Sequence, residues 1–405
     1  MNSRLYKYFL WFGLSTALIF APFARGAVKV WSIAPVLFIV NAIIFVWLWK
    51  ANNTKGYIFK RTQIDLPLFV FVGLAVISFV FSIYKHDSFY AILELVGYAG
   101  IFYIVVNEFG HTMRDYLLAL VVYAGAFLSL YGLLQYFGFL NHDWWEPQKF
   151  LASTYVNHNH FAGYIELVMP LTVGMLLASW RKRQVSKAVL IPALVVMLAA
   201  FILSQSRGAW FSLAVSFLII CPLFVRQKAF NAQTIFTILL VVIITSSFIY
   251  FGKDVIYNRI DTVSIIKGEE SSANTRLKIW QGTVEMIRSK PITGVGIGDF
   301  IWGFPRFRPE GLNVQANSAH NDYLQAAAEM GLPALLVMLW LLAAIIITGI
   351  KRSNSDPVKI GCIIGLLSLS LHGLVDFNFH IPANMLLFTV YAAIVSGASR
   401  FNDES

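Results

Sequence analysis

Long apolar runs separated by short charged clusters make up most of this chain. The runs cover about residues 8–23, 30–49, 66–84, 90–107, 116–138, 160–180, 188–204, 209–225, 233–251, 333–350, 358–375 and 382–399. Wound as helices rising about 1.5 Å per residue, runs of this length suit a hydrocarbon core about 30 Å thick. The pattern predicts an all-α, polytopic integral membrane protein of twelve transmembrane helices, with residues 1–405 as a single membrane domain. The first run reads as a span rather than as a cleaved signal peptide. An even number of spans puts both termini on the same side.

One polar stretch, residues 252–318, breaks the pattern before the last three spans. It carries five arginines and runs into Ser318-Ala319-His320-Asn321-Asp322-Tyr323-Leu324-Gln325. Ser271-Ser272-Ala273-Asn274 offers helix N-caps. Leu277, Trp280, Val284 and Ile287 then recur at helical spacing, so 274–289 reads as an amphipathic helix ended by Lys290-Pro291. Gly294-Val295-Gly296-Ile297-Gly298 lacks the flanking strand and helix of a dinucleotide fingerprint, and it reads as a flexible turn. Arg306 and Arg308 follow among Phe304, Pro305 and Phe307. From His320 the spacing turns helical again, with Leu324, Ala327 and Gly331 on its face, and Pro333 opens the next span. A helix N-terminus favours neutral imidazole over imidazolium, and a general base must be neutral. An interfacial histidine that caps a loop would leave the same sequence.

Composition agrees with the spans and adds a direction. Hydrophobic residues make up 58 % and charged residues 13 % of the chain, against about a quarter charged in soluble domains. The net charge of +10 comes from loops, not from a basic stripe with interleaved aromatics, so no nucleic-acid partner is expected. Short loops on the side of the termini hold seventeen lysines and arginines, and those on the opposite side hold five. That bias puts both termini in the cytoplasm and residues 252–318 outside it. Cys221 and Cys362 sit in apolar runs, which makes a structural disulfide unexpected. Glu94, Glu166 and Asp376 lie within or near spans, where acids are functional candidates unless they are wet at an end.

Other polar motifs fall on the same outer side. Ser204-Gln205-Ser206-Arg207-Gly208 forms a very short turn between two spans, where an arginine anchors the interface or meets a ligand. Asn157-His158-Asn159-His160 opens the sixth span; histidines two apart do not share a helix face, so hydrogen bonding suits them better than a metal. Trp144 and Trp145 read as part of the interfacial aromatic belt. Arginine forks match phosphate oxygens, and a lipid-linked pyrophosphate presents such an anion at this depth.

Taken in order, Asn157-His158-Asn159-His160-Phe161-Ala162-Gly163-Tyr164, Ser204-Gln205-Ser206-Arg207-Gly208-Ala209-Trp210, Thr275-Arg276-Leu277-Lys278-Ile279-Trp280, Gly294 to Gly298, and His320-Asn321-Asp322-Tyr323-Leu324-Gln325 with Glu329 and Gly331 resemble the bacterial O-antigen ligase and polymerase superfamily. The resemblance implies an inverting, metal-independent glycosyltransferase without a cofactor, working on the periplasmic face of the bacterial inner membrane. It implies undecaprenyl-pyrophosphate-linked glycan as donor and, in the ligase, lipid A–core oligosaccharide as acceptor, both met among membrane lipids. Carried onto this chain, Arg207 and Arg276 bind the pyrophosphate and His320 takes the proton from the acceptor hydroxyl. Arg259, Arg288, Arg306 and Arg308 are candidate helpers, with Asn157, His158, His160 and Asn321 as further substrate-binding candidates. No Asp-x-Asp metal motif occurs, and the first outer loop, Ala24 to Lys29, has no acid. A polysaccharide polymerase or a protein O-oligosaccharyltransferase shares the reaction and differs in acceptor. A lipid-linked glycan transporter is the reading without chemistry; its broken, repeated helices are not evident here.

Overall fold

A computed structural model of the protein describes residues 3–140, 150–179, 187–225, 246 and 272–397. The helices are α1 (Ser3–Phe23), α2 (Val30–Asn52), α3 (Asp65–Val80), α4 (Lys85–Glu108), α5 (His111–Tyr136), α6 (His158–Ser179), α7 (Lys187–Leu203), α8 (Arg207–Val225), α9 (Ser272–Ser289), α10 (Asp322–Arg352), α11 (Pro357–His372) and α12 (Pro382–Ser396). Among the described residues there is no strand. Eleven of the twelve expected spans fall on α1–α8 and α10–α12. The expected ninth span, 233–251, lies outside the described residues apart from Ser246; residues 252–271, with Arg259, and the pair Trp144 and Trp145 lie outside them as well. Helices α2, α4, α5, α6 and α10 are each long and apolar enough to cross a membrane; α3, α7, α8, α11 and α12 are shorter apolar helices. The chain is a multi-pass, all-helical membrane protein.

Helix α6 is the most enclosed of the long helices, with 83 % of its apolar window buried. Small residues let α11 lie against it. A Cβ on Gly361 would strike the Pro170 carbonyl, and one on Gly174 would strike the Pro357 carbonyl. Without a hydrophobic drive between helices in lipid, such close backbone approach is what holds a bundle together. The seam carries polar groups too. Glu166 is fully buried, and its two carboxylate oxygens receive Ser368 Oγ (2.9 Å) and His372 Nδ1 (2.9 Å). An isolated charge at this depth costs at least about 2.5–3.5 kcal/mol, so these partners are what make Glu166 tolerable.

Residues 272–319 pack on the end of the bundle at which α6, α8 and α10 begin. Ile279 and Met286 of α9 share a small core with Val295, Phe300, Phe304, Leu312 and Ala328. The buried face of α9 is therefore Ile279, Gly282, Thr283 and Met286, rotated from the stripe expected from sequence; Leu277 is exposed. Gly282 explains the rotation. It faces the Phe307 carbonyl and the Phe304 ring at distances a Cβ would close, and an apolar count does not register a glycine as a contact position.

Residues 294–298 form a turn, but one tied on both sides rather than a flexible one. Val295 and Gly296 donate backbone N–H groups to Ala328 O (3.1 Å) and Glu329 O (2.9 Å), and Ile83 N–H donates to Val295 O (3.1 Å). The turn is strapped between α10 and the α3–α4 connection. Gly294, with φ +65°, lies so close to the Glu329 backbone that no side chain fits. Helix α10 bends at Gly331 (φ 85°), where Leu332 N–H turns to Pro291 O (2.7 Å), so its membrane-crossing part does begin near Pro333.

Candidate active site

Helix α10 starts with a side-chain cap. Asn321 Oδ1 accepts the N–H groups of Tyr323 and Leu324, both at 3.0 Å, while its Nδ2 donates to Leu374 O (2.8 Å). Asp322 N–H donates to Gly373 O (2.8 Å). The start of α10 is thus clamped to residues 373–376, just beyond α11. Asn321 is spent on this clamp, with its carbonyl and amide groups both engaged.

His320 precedes the cap, in a left-handed conformation (φ 49°). Its neighbour Ala319 is gripped from two sides. Gln325 Oε1 accepts Ala319 N–H (3.1 Å), and Trp280 Nε1 donates to Ala319 O (2.9 Å). Trp280 lies one turn after Arg276 on α9, so a single helix face supports the histidine's backbone and presents the arginine.

These groups converge on Asp376. Its side chain is 2 % exposed. Arg276 Nη2 lies 3.5 Å from Oδ2, and on the other oxygen stand His160 Nε2 at 3.7 Å and His320 Nδ1 at 3.9 Å. Phe377 donates its N–H to the same Oδ1 (2.9 Å), and its ring meets both imidazoles edge-on, at 4.6 and 4.9 Å between centroids. Neither imidazole is within hydrogen-bond length of the carboxylate, and both facing nitrogens are buried without a partner among the described residues. Burial would raise the Asp376 pKa, yet the nearby imidazoles of His160 and His320 outweigh it and hold the carboxyl well below its ordinary range. At these separations the effect is one of field. The result is a lasting anion between two imidazoles and a guanidinium.

The other motifs build the wall around this centre. His158 and His160 face different ways, as two-residue spacing requires. His158 Nδ1 lies 2.7 Å from Ser204 O, which can only accept, so that nitrogen carries the proton. Asn157 Oδ1 accepts Asn159 N–H (2.8 Å) and caps α6. The Ser204–Gly208 turn is held in this way, and Arg207 opens α8 with an exposed side chain. The adjoining Gly208 packs on His372 and Val375, which brings the start of α8 beside the Asp376 segment.

The remaining arginines are elsewhere. Arg288 is twelve residues along α9 from Arg276, about 18 Å by helix rise. It pairs with Glu285 (2.6 Å) and is 71 % exposed. Arg306 and Arg308 are exposed on the turn that packs at Gly282, and Arg308 Nε donates to Leu312 O (2.6 Å). Among the described residues no three His, Cys, Asp or Glu side chains are grouped as metal ligands would be. Sequence reasoning singled out Asp376 as an acid near a span without giving it partners. Its place between His160 and His320 depends on three chain segments that only the fold brings together.

Over residues 192–339 the chain matches the family described as O-antigen ligase. That region contains Arg207, Arg276, His320 and Asn321, and it supports the superfamily resemblance read from the ordered motifs. The O-antigen ligase match points to a membrane enzyme of the ligase or polymerase type. His160 and Asp376 fall outside the matched residues and join the site through α6 and the segment after α11. No curated protein matches the chain.

Proposed function

We propose that the protein is an inverting, metal-independent glycosyltransferase of the bacterial inner membrane, with both termini in the cytoplasm and its site on the periplasmic face. It moves a glycan from undecaprenyl pyrophosphate to an acceptor hydroxyl, and the favoured acceptor is lipid A–core oligosaccharide. The observation that carries this reading is the convergence of His320 and Arg276 on one buried carboxylate. A carboxylate beside Nδ1 favours the tautomer with its proton there, leaving the Nε2 lone pair to accept the hydroxyl proton. The acceptor oxygen then attacks the anomeric carbon from the face opposite the leaving group. The C–O bond to phosphate breaks, and its electron pair leaves with the lipid pyrophosphate. Arg276 and Arg207 stabilise the charge that grows there. At 3.5 Å from Asp376, Arg276 is loosely held, and an arriving diphosphate can draw its guanidinium away.

Purified protein in liposomes, given lipid-linked glycan and alternative acceptors, tests this. Glycosylated lipid A–core identifies a ligase, and lengthened lipid-linked chains identify a polymerase. Addition of a chelator leaves the rate unchanged. Glycan found across the membrane without a covalent product would overturn the proposal in favour of transport.

A further inference from the structure

A second polar cluster lies on the other side of the α10 cap. Asp322 Oδ1 meets His380 Nδ1 at 2.8 Å, and Phe379 N–H donates to Oδ2 (3.2 Å). This contact is much tighter than that between His320 and Asp376. The Asp322 carboxyl is fully enclosed, while the His380 ring is 38 % exposed, and it opens into a cavity of about 730 Å³.

The cavity is long and sorted by polarity. Along α4 its lining runs from His86 to Phe102, about 24 Å by helix rise, which exceeds one leaflet of a hydrocarbon core about 30 Å thick. Its inner part is apolar, walled by side chains such as Leu68, Phe102, Met338 and Ile345. The outer part gathers Asp87, Glu94, Asp322, Glu329, His86 and His380. Most of these are already bonded. Glu329 receives Gly298 N–H (2.8 Å) and Gln325 Nε2 (3.0 Å), and Asp87 receives Trp302 Nε1 (2.8 Å). Glu94 is different: no described residue gives it a hydrogen bond or ion pair. A carboxyl inside a span without a partner among the described residues points to a ligand.

The charge pattern selects the ligand. Among the described residues no lysine or arginine lines the cavity, and His380 is already paired with Asp322 amid further carboxylates, so the lining disfavours a diphosphate, in contrast with the arginine-bearing site at Asp376. Carboxylates and imidazoles do suit sugar hydroxyls, which donate and accept at once. The apolar depth suits a hydrocarbon chain. We propose that this cavity is a second amphiphile site, which holds the chain of a membrane glycolipid while Glu94 and His380 hydrogen-bond the hydroxyls of its head. On the transferase reading above, on which this placement rests, the glycolipid is the acceptor. His320 and Asp322 are two residues apart on either side of Asn321, so the head of a chain seated here lies next to the proposed base.

Photo-crosslinking of the full chain in nanodiscs tests the site directly. The probes are a diazirine-tagged alkyl glucoside and an alkyl diphosphate with the same tagged chain. The glucoside is expected to label the α4 and α10 lining. Labelling should fall at least tenfold in Ala326→Trp, which fills the cavity, and several-fold in Glu94→Leu, which keeps its shape. The diphosphate should label these helices no more than background. Glucoside labelling unchanged in Glu94→Leu, or diphosphate labelling of the lining as strong as that of the glucoside, would overturn the proposal. A failed transferase reading would leave the labelling intact, so the two failures can be told apart.

Discussion

His320 can hold a left-handed backbone because its neighbours are fixed. A non-glycine residue in that region costs on the order of 1–3 kcal/mol, and histidine is among the types that visit it. Trp280 and Gln325 on Ala319, together with the Asn321 clamp, offset this at about 1 kcal/mol per hydrogen bond. His380 allows a pH prediction. Burial lowers its pKa, but the hydrogen bond and charge of Asp322, then Glu329 and Glu94, outweigh this and raise it from 6.5 to about 9. A raised folded-state pKa gives stability that is complete below about pH 6.5 and lost as pH rises through about 9. The melting temperature of the wild type should therefore drop toward that of His380→Gln between about pH 7 and pH 10. Parallel curves for the two proteins would contradict the pairing. Arg207 and His320 were legible in the sequence as parts of polar motifs at span boundaries, and Arg276 as part of the amphipathic helix in the long loop, which is what makes them candidates. His380 was not, since its short loop between two spans carries no motif that marks it and it gains meaning only from Asp322, 58 residues earlier.

Among the elements, α9 links the arginine to the histidine. Arg276 and Trp280 share one face, and the indole N–H is the link to Ala319. Trp280→Phe keeps the ring and removes that bond. It should lower kcat about tenfold, which corresponds to about 1.4 kcal/mol, and leave expression and thermal stability near wild type. Loss of folded protein in place of lost turnover would show that Trp280 serves packing alone. The existence and extent of α9 were legible from its caps and periodicity. Its orientation was not, because Gly282 and Thr283 form contacts that an apolar pattern does not count. The glycine turn at 294–298 was hidden in the same way: what fixes it are backbone bonds to α10 and to the α3–α4 connection, which no residue type announces.

At the scale of the molecule, the α6–α11 seam sets the distance between His160 and Asp376. One belongs to α6, and the other follows α11 by four residues. Gly361→Val would drive its side chain into the Pro170 carbonyl and part the helices. Overpacking of this kind costs about 1–3 kcal/mol, seen as a lower melting temperature of the detergent-solubilised protein, with transfer falling in step. An unchanged melting temperature would mean that the seam is looser than described. The run of apolar spans was plain in the sequence, whereas the order in which they pack was not, since lipid-facing and buried apolar residues read alike. Single-turnover transfer by reconstituted protein tests most directly whether the histidine and arginine gathered at one buried carboxylate carry the chemistry. His320→Ala should slow the chemical step by about 10²–10⁴-fold and Arg276→Ala by about 10²–10³-fold, with both proteins inserted and folded. Transfer at the wild-type rate by either variant would contradict the account.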